Sequence, residues 1–357
     1  MNMELPRKWL NHCGWLKAGD PGNDLVISTR IRLARNIDGI PFSQWASSTD
    51  LKRIAQQTRE AIQQSTLLNE AEWLCMEEME DIDRHFLCEQ YLISRELAKS
   101  GIERYVAIHP EQIASIMINE EDHLRLQVLM AGSNLGRTWE LIDSIDNEFE
   151  SHINYAFSNA YGYLTACPTN VGTGIRCSVM VHLPGLVLTR QIEKVLSAVT
   201  QVGLTVRGLG GEGSEIAGNL FQISNQWTLG ISEIETIEKI EKILNHIVEQ
   251  ERKAQTNLVE NKRMKLEDQV WRAYATLRYA RVLSSNEAIE LLSAIRLGRS
   301  TGLLDQPTYE EINEMLIQSR PAHLQKLASQ ELSAHERDVF RAEMIRKWIE
   351  TGTNASG

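Results

Sequence analysis

The sequence predicts an α+β chain in two parts: strands mixed with helices up to about residue 254, then helices alone over 255–357. Two observations carry that division. Residues 112–118 and 123–130 flank the polar run Asn119-Glu120-Glu121-Asp122, and Leu124, Leu126 and Val128 alternate with polar neighbours, as in a β-hairpin. Beyond Arg252 the glycines thin out, strand patterns vanish, and apolar residues recur at helical spacing (Val270/Tyr274/Leu277; Ile289/Leu292/Ile295).

The elements follow in order. Residues 1–23, punctuated by Gly14, Gly19, Pro21 and Gly22, form a short arm or cap. Asp24-Leu25-Val26-Ile27 opens a strand that continues through residues 28–35. Leu51, Ile54, Ala55, Thr58, Ala61 and Ile62 predict a helix over 51–62. Residues 161–184 read as a loop followed by a strand over 178–183. Leu188, Ile192, Val195, Leu196 and Val199 then mark one helix, with a strand at 204–207 after it. The run Gly208-Leu209-Gly210-Gly211-Glu212-Gly213-Ser214-Glu215 is too rich in glycine for a regular element. A short strand at 220–224 leads to a long amphipathic helix marked by Ile234, Ile237, Ile240, Leu244, Ile247 and Val248. Ser333 and Glu336 have the spacing of a capping box, so a last helix starts there.

At 357 residues, with 42% hydrophobic and 24% charged side chains, the chain has an ordinary globular balance and room for two domains. Its formal charge of −11 gives no global reason to coat nucleic acid or anionic lipid, and leaves basic proteins as natural partners. No apolar run approaches the ~18 residues of a membrane span. The opening residues have no apolar stretch behind their charges, so no secretory leader is expected. Five scattered cysteines without a C-x-x-C pair fit neither a disulfide scaffold nor a zinc site, and read as reduced thiols of a cytoplasmic protein.

Five arginines need an explanation: Arg30 and Arg32 on one strand, Arg125 after the acidic tip, Arg176 after Gly172-Thr173-Gly174, and Arg207 before the glycine run. Arg30 and Arg32 are two apart and so share a strand face. Held together, such guanidiniums suit a polyphosphate. By composition alone they read as scattered surface arginines paired with the excess acid. Neither glycine segment is a P-loop, and no G-x-G-x-x-G opens a helix after a strand. Two carboxylates stand out: Glu121 in the hairpin tip, and Glu212, whose glycine neighbours leave it free to approach a ligand.

Residues 28–32 (Ser28-Thr29-Arg30-Ile31-Arg32), 119–125, 167–176 (opening on Cys167-Pro168-Thr169-Asn170) and 207–215 resemble the four signature segments of guanidino (phosphagen) kinases, in the family's order. Together they favour one shared site over scatter. The chain is most similar to the bacterial protein-arginine kinases. In phosphagen kinases a helical domain of roughly a hundred residues precedes the S-T-R-x-R segment; here that segment starts at Ser28, and a helical extension follows Arg252. Arg337-Asp338-Val339-Phe340-Arg341-Ala342 matches that family's R-D-x-x-R-A motif. Its two arginines stand i, i+4 near a helix N-terminus, a sensible anion trap.

The resemblance implies a guanidino-kinase catalytic domain over 24–254, mainly an antiparallel sheet flanked by helices. An all-helical C-terminal domain over 255–357 would follow, with an allosteric phosphoarginine pocket at 337–342 and a surface for a homodimer. It implies ATP held by Ser28, Thr29, Arg30, Ile31, Arg32, Tyr91, Arg125, Arg176, Cys177, Ser178, Val179, Met180, Arg207, Gly208, Leu209, Gly210, Gly211 and Glu212. Mg²⁺ would be carried on the nucleotide and not by protein ligands. Glu121 would be the base and orienter, Glu212 a second clamp on the guanidinium, and Cys167 an electrostatic tuner. Tyr91 stands where the family has a histidine; its ring and hydroxyl are expected to serve adenosine with altered affinity. The implied partners are proteins with exposed arginines, an activator protein and a Clp-type protease in a stress response. Two other readings stay open: a kinase of free arginine or another small guanidino compound, and a weakly catalytic phosphoarginine-binding adaptor.

Overall fold

A computed structural model describes residues 5–11, 13–17, 20, 24–99, 101–208 and 217–351. The strands are β1 (Val26–Arg35), β2 (Glu72–Cys75), β3 (Tyr105–Ile108), β4 (Ala114–Ile118), β5 (Leu124–Ala131), β6 (Phe157–Ser158), β7 (Gly162–Tyr163), β8 (Ile175–His182), β9 (Leu204–Arg207) and β10 (Leu220–Asn225). All but the small β6–β7 pair join one antiparallel sheet in the order β2-β3-β4-β5-β1-β8-β10-β9. The hairpin forms where alternation predicts it, with Ile118 opposite Leu124 and the Asn119 N–H donating to the His123 carbonyl at 2.9 Å.

Helices α1 (Arg7–Asn11), α2 (Ser48–Gln64), α3 (Asp81–Glu89), α4 (Arg95–Ala98), α5 (Leu135–Glu150), α6 (Pro184–Leu188), α7 (Ile192–Gln201) and α8 (Glu233–Asn261) accompany the sheet. Helix α2 starts on a capping box between Ser47 and Asp50. Ile54 and Ile62 of α2, Ile142 and Phe149 of α5, Val199 of α7 and Ile240 and Leu244 of α8 pack on Ile31, Leu33, Val128, Val179 and Ile223 of the sheet. Truncating one of these buried aliphatic side chains to Ala would cost about 2–5 kcal/mol. The helix expected over 188–199 is broken in two. Pro184 starts it early, and Arg190 takes a left-handed conformation (φ 61°) that ends α6. The Glu251 carboxylate of α8 accepts from the Gly185 and Leu186 N–H groups at 2.7 and 2.8 Å, closing the start of α6.

The chain goes on as α9 (Arg263–Tyr279), α10 (Ser285–Ser300), α11 (Tyr309–Gln318), α12 (Pro321–Ala328) and α13 (Ala334–Thr351). As the capping box predicts, Glu336 accepts from the Ser333 N–H at 2.8 Å at the start of α13. Helix α8 runs unbroken through residue 254: its Ala254 joins the first core, while Leu258 joins the core of the C-terminal helices.

The second face of the sheet is covered at its ends. On the β2–β5 side, Trp9, Trp15 and Leu16 of the N-terminal segment pack with Phe86, Leu92, Met117 and Leu129. At the start of β1, Ile27, Met180 and Leu220 pack among the C-terminal helices. Between these two covers lies the stretch of sheet that carries the arginines.

Candidate functional site

Register explains how distant arginines meet. On β1, Arg30 faces Ser178 and Arg32 faces Arg176 across the β1–β8 pair, and Ala34 faces Arg125 across β1–β5. Across β8–β10 Met180 pairs with Gln222, whose partner on β9 is Arg207. Residues opposite each other share a face, so all five guanidiniums leave the same side of the sheet. Like charges directly opposite, as at Arg32 and Arg176, are destabilising by themselves. Burial holds Arg32 well below the usual guanidinium range, with Arg30, Arg125 and Arg176 pressing the same way. Its Nε is a buried donor without a hydrogen-bond partner. Burial likewise pushes Arg30 down to about 10, opposed by Tyr91 and abetted by Arg176 and Arg125. Buried guanidiniums thus crowd one strip of the sheet and repel one another.

Arg32, Arg125, Arg176, Arg207, Glu121 and Cys167 line one cleft of about 450 Å³. The acidic turn supplies its other sign. Arg125 pairs with buried Glu120 at 2.6 Å and with Glu121 at 3.0 Å. Burial raises the Glu121 carboxyl above the usual carboxylate value, and Asp122 and Glu120 add to this against Arg125. Fully buried Asp122 accepts from Asn36 Nδ2 at 2.8 Å and from the Ala166 N–H at 2.7 Å, which ties the turn to the segment carrying Cys167. Cys167 Sγ lies 3.0 Å from Thr169 Oγ1. His123 accepts from the Ile37 N–H at 3.0 Å and donates from Nε2 to the Pro41 carbonyl at 2.8 Å, so it braces the hairpin.

The pleat sorts the remaining expected residues. Ser28, Ser178 and Met180 share the arginine face. Ile31, Cys177 and Val179 turn into the core, and buried Thr29 donates to the Gly132 carbonyl at 2.7 Å. Arg30 and Tyr91 line a neighbouring cavity with Ser28, Ser178 and Met180. Gly208 follows directly on β9; Leu209, Gly210, Gly211 and Glu212 lie outside the described residues. Arg341, on α13, is 1% exposed, and each of its three guanidinium nitrogens donates a hydrogen bond. It donates to the Ser319 and Leu283 carbonyls at 2.8 and 2.6 Å and to Ser285 Oγ at 2.8 Å, and pairs with Asp338. Arg337 is half-buried and donates to the Leu332 carbonyl at 2.7 Å. Val339 is exposed, Phe340 packs on the helical core and Ala342 is buried.

Sequence reasoning missed the frame under the cleft. Arg35 points to the opposite face from Arg30 and Arg32, where it pairs with Asp146 at 2.6 Å and stacks 3.6 Å from the Tyr163 ring. It also donates to the Thr173 carbonyl at 2.9 Å, holding the 172–174 turn. Its odd spacing from Arg30 and Arg32 was the available signal. The Gly172 Cα leaves no room for more: at φ 116°, an added Cβ would sit 2.2 Å from the Thr228 carbonyl oxygen. Thr228 in turn donates to the Val171 carbonyl at 2.7 Å, so residues 169–173 and 226–228 frame the cleft together. Asn170, Thr205 and Gln226 also line it.

The model of the ATP:guanido phosphotransferase C-terminal catalytic domain matches residues 53–254, and that of the protein-arginine kinase McsB C-terminal domain matches 263–356. A protein-arginine kinase of Moorella thermoacetica is 45% identical over 352 residues, covering 98% of this chain and 99% of its own. The protein-arginine kinase of Desulforamulus reducens is 43% identical over 343 residues, 95% of this chain and 96% of its own. The chain belongs to the protein-arginine kinase family. Among solved structures, the duplicated taurocyamine kinase of Schistosoma mansoni with bound transition-state analogue components superposes with a TM-score of 0.58 at 26% identity. That match covers 64% of this chain but 33% of the other, so this chain spans about a third of its length. Lombricine kinase shares the fold, with a TM-score of 0.57, 24% identity, and coverage of 64% and 67% of the two chains. The kinase is thus α+β with a guanidino-kinase antiparallel sheet and a helical C-terminal region, as its sequence predicts. No helix among the described residues is long and apolar enough to cross a membrane.

Proposed function

We propose that this kinase transfers the γ-phosphoryl group of ATP to a guanidino nitrogen of arginine side chains in proteins. One observation carries the reading: four guanidiniums and the Glu121 carboxylate converge on a single cleft. The arginine tiers along β1 and β8 are ordered like a nucleotide. From Ser28 to Ala34 the strand rises about 20 Å, from the cavity of Tyr91 and Met180, past Arg30 and Arg32, to Arg125 and Glu121. The base and ribose occupy the first end, the phosphates the arginine strip, and the acceptor the acidic end. Mg²⁺ carried on the phosphates would supply further neutralising charge.

Phosphoryl transfer runs through a loose transition state with charge spread over the equatorial oxygens, so positioned guanidiniums do most of the work. The acceptor has a pKa above ~12 and no free lone pair at neutral pH. A base must take its N–H proton as the nitrogen attacks. Glu121 is that base: its raised pKa brings it nearer the working pH, and Arg125 fixes its orientation. Glu212 as a second clamp and Cys167 as a tuner of the guanidinium rest on the resemblance. So do cytoplasmic residence, marking of proteins for a Clp-type protease under stress, an activator and a homodimer. A phosphoarginine pocket at 337–342 would meet its ligand through Arg337, with the engaged Arg341 bracing the helix from behind.

The test is mass spectrometry of a protein mixture incubated with the kinase and ATP, kept away from acid because the P–N bond is acid-labile. Phosphoarginine on protein side chains is expected. Product on free arginine alone would make it a small-molecule kinase, and phosphoarginine binding without transfer would make it an adaptor.

A further inference from the structure

The cavity at the nucleoside end is not closed by the sheet alone. Ser28, Arg30, Ser178 and Met180 of the sheet line it together with Leu316, Ile317 and Arg320, all from the C-terminal helical region. Trp15 and Tyr91 also line it, with ring centroids 6.3 Å apart in an edge-to-face contact.

Tyr91 is an unusual residue to find there. Its φ of 61° lies in the left-handed region, a costly place for a bulky side chain that persists only where surroundings over-determine it. Those surroundings are visible. Gln127 Nε2 donates to the Tyr91 carbonyl at 2.8 Å, and the Tyr91 N–H donates to the Cys88 carbonyl at 3.0 Å. The Arg320 guanidinium lies 4.8 Å over the Tyr91 ring and donates to its hydroxyl. Arg320 is itself anchored, donating to the Glu89 carbonyl at 3.2 Å. The Glu89 carboxylate accepts from the Ala322 and His323 N–H groups at 2.9 and 3.0 Å and pairs with His323 Nδ1 at 2.8 Å, docking the start of α12.

We propose that Arg320 is a nucleotide-positioning residue: from the C-terminal helices it holds the Tyr91 ring as one wall of the base pocket, so that the catalytic sheet alone has an incomplete ATP site. The proposal rests on the reading that this chain uses ATP. Arg320 bears on binding of the base and not on the transferring phosphoryl group. The planar fork matters, because only Arg can cover the ring, reach the hydroxyl and bond the Glu89 carbonyl together.

The experiment is equilibrium binding of ATP to the full-length kinase, alongside steady-state KM and kcat. Arg320→Met is expected to weaken ATP binding about tenfold, ~1.4 kcal/mol, with the KM for ATP rising in step and kcat at saturating ATP changing far less. Arg320→Lys should recover part of the loss. Tyr91→Phe should weaken binding in the same direction, and the double variant should be no weaker than Arg320→Met alone, since both remove one contact. If Arg320→Met melts early, Arg320→Lys and Tyr91→Phe carry the test. Unchanged or tighter ATP binding, a loss confined to kcat, or full additivity of the two changes would overturn the proposal. A parent chain that binds ATP yet makes no phosphoarginine would sink the functional reading and leave this one standing.

Discussion

Replacing Glu121 by Gln separates chemistry from binding at the acidic end of the cleft. The amide keeps an oxygen for the Arg125 Nη2 donor, now 3.0 Å from Glu121, but cannot take a proton. Arg125 retains its 2.6 Å ion pair with Glu120, so the phosphate strip keeps its geometry. A positioned general base is worth about 10²- to 10⁴-fold in rate, or about 3–5 kcal/mol of barrier. Phosphoarginine formation under single-turnover conditions at saturating ATP should fall by that factor, while ATP affinity holds within about threefold. The parent rate should drop as pH falls through the raised pKa of Glu121, and the variant should lack that limb. Stability moves the other way. A carboxyl whose folded pKa lies above its unfolded value of 4.5 binds its proton more tightly when folded. Its contribution is therefore full below pH 4.5 and is lost as pH rises through the folded value. At pH 7 the variant should melt no lower than the parent. Phosphoarginine accumulating at the parental rate would refute the assignment of the base.

Arg32→Met should abolish tight ATP binding yet raise the melting temperature, on the order of 2–4 °C for each ~1 kcal/mol of repulsion relieved. Pyrophosphate should stabilise the parent more than the variant, which a thermal melt in its presence reads directly. Asp146→Ala strands the Arg35 guanidinium beneath the 172–174 turn; urea unfolding should show a loss of about 3–5 kcal/mol, together with reduced activity. Arg341→Ala leaves the Ser319 and Leu283 carbonyls and Asp338 without their donor, and should cost roughly 3 kcal/mol, whereas Arg337→Ala should leave the denaturation midpoint nearly unmoved.

Much of this kinase is legible in its sequence. Period-two alternation places Arg30 and Arg32 on one face and raises the hairpin that carries Glu121, and the Ser333–Glu336 spacing marks the start of α13. Such signals are local: they depend on side-chain direction over a few residues, which the backbone period dictates. The four signature segments also name the chemistry, because each keeps its own residue types in order.

What tertiary structure alone decides is which distant groups become neighbours. Nothing within residues 28–32 says that Arg32 will stand opposite Arg176, a pairing set by the β1–β8 register across more than a hundred residues of chain. The same pleat sends Cys177 and Val179 into the core although the resemblance counts them among the residues that hold ATP. The unmarked Arg35 becomes the strut beneath the cleft only because Asp146 reaches it from α5. Arg341 looks like a free anion trap in sequence, but folding supplies carbonyl partners from loops 22 and 58 residues away. Tyr91 gains its meaning from Arg320, 229 residues downstream. In each case the deciding energy is that of contacts between segments, which a one-dimensional pattern does not encode.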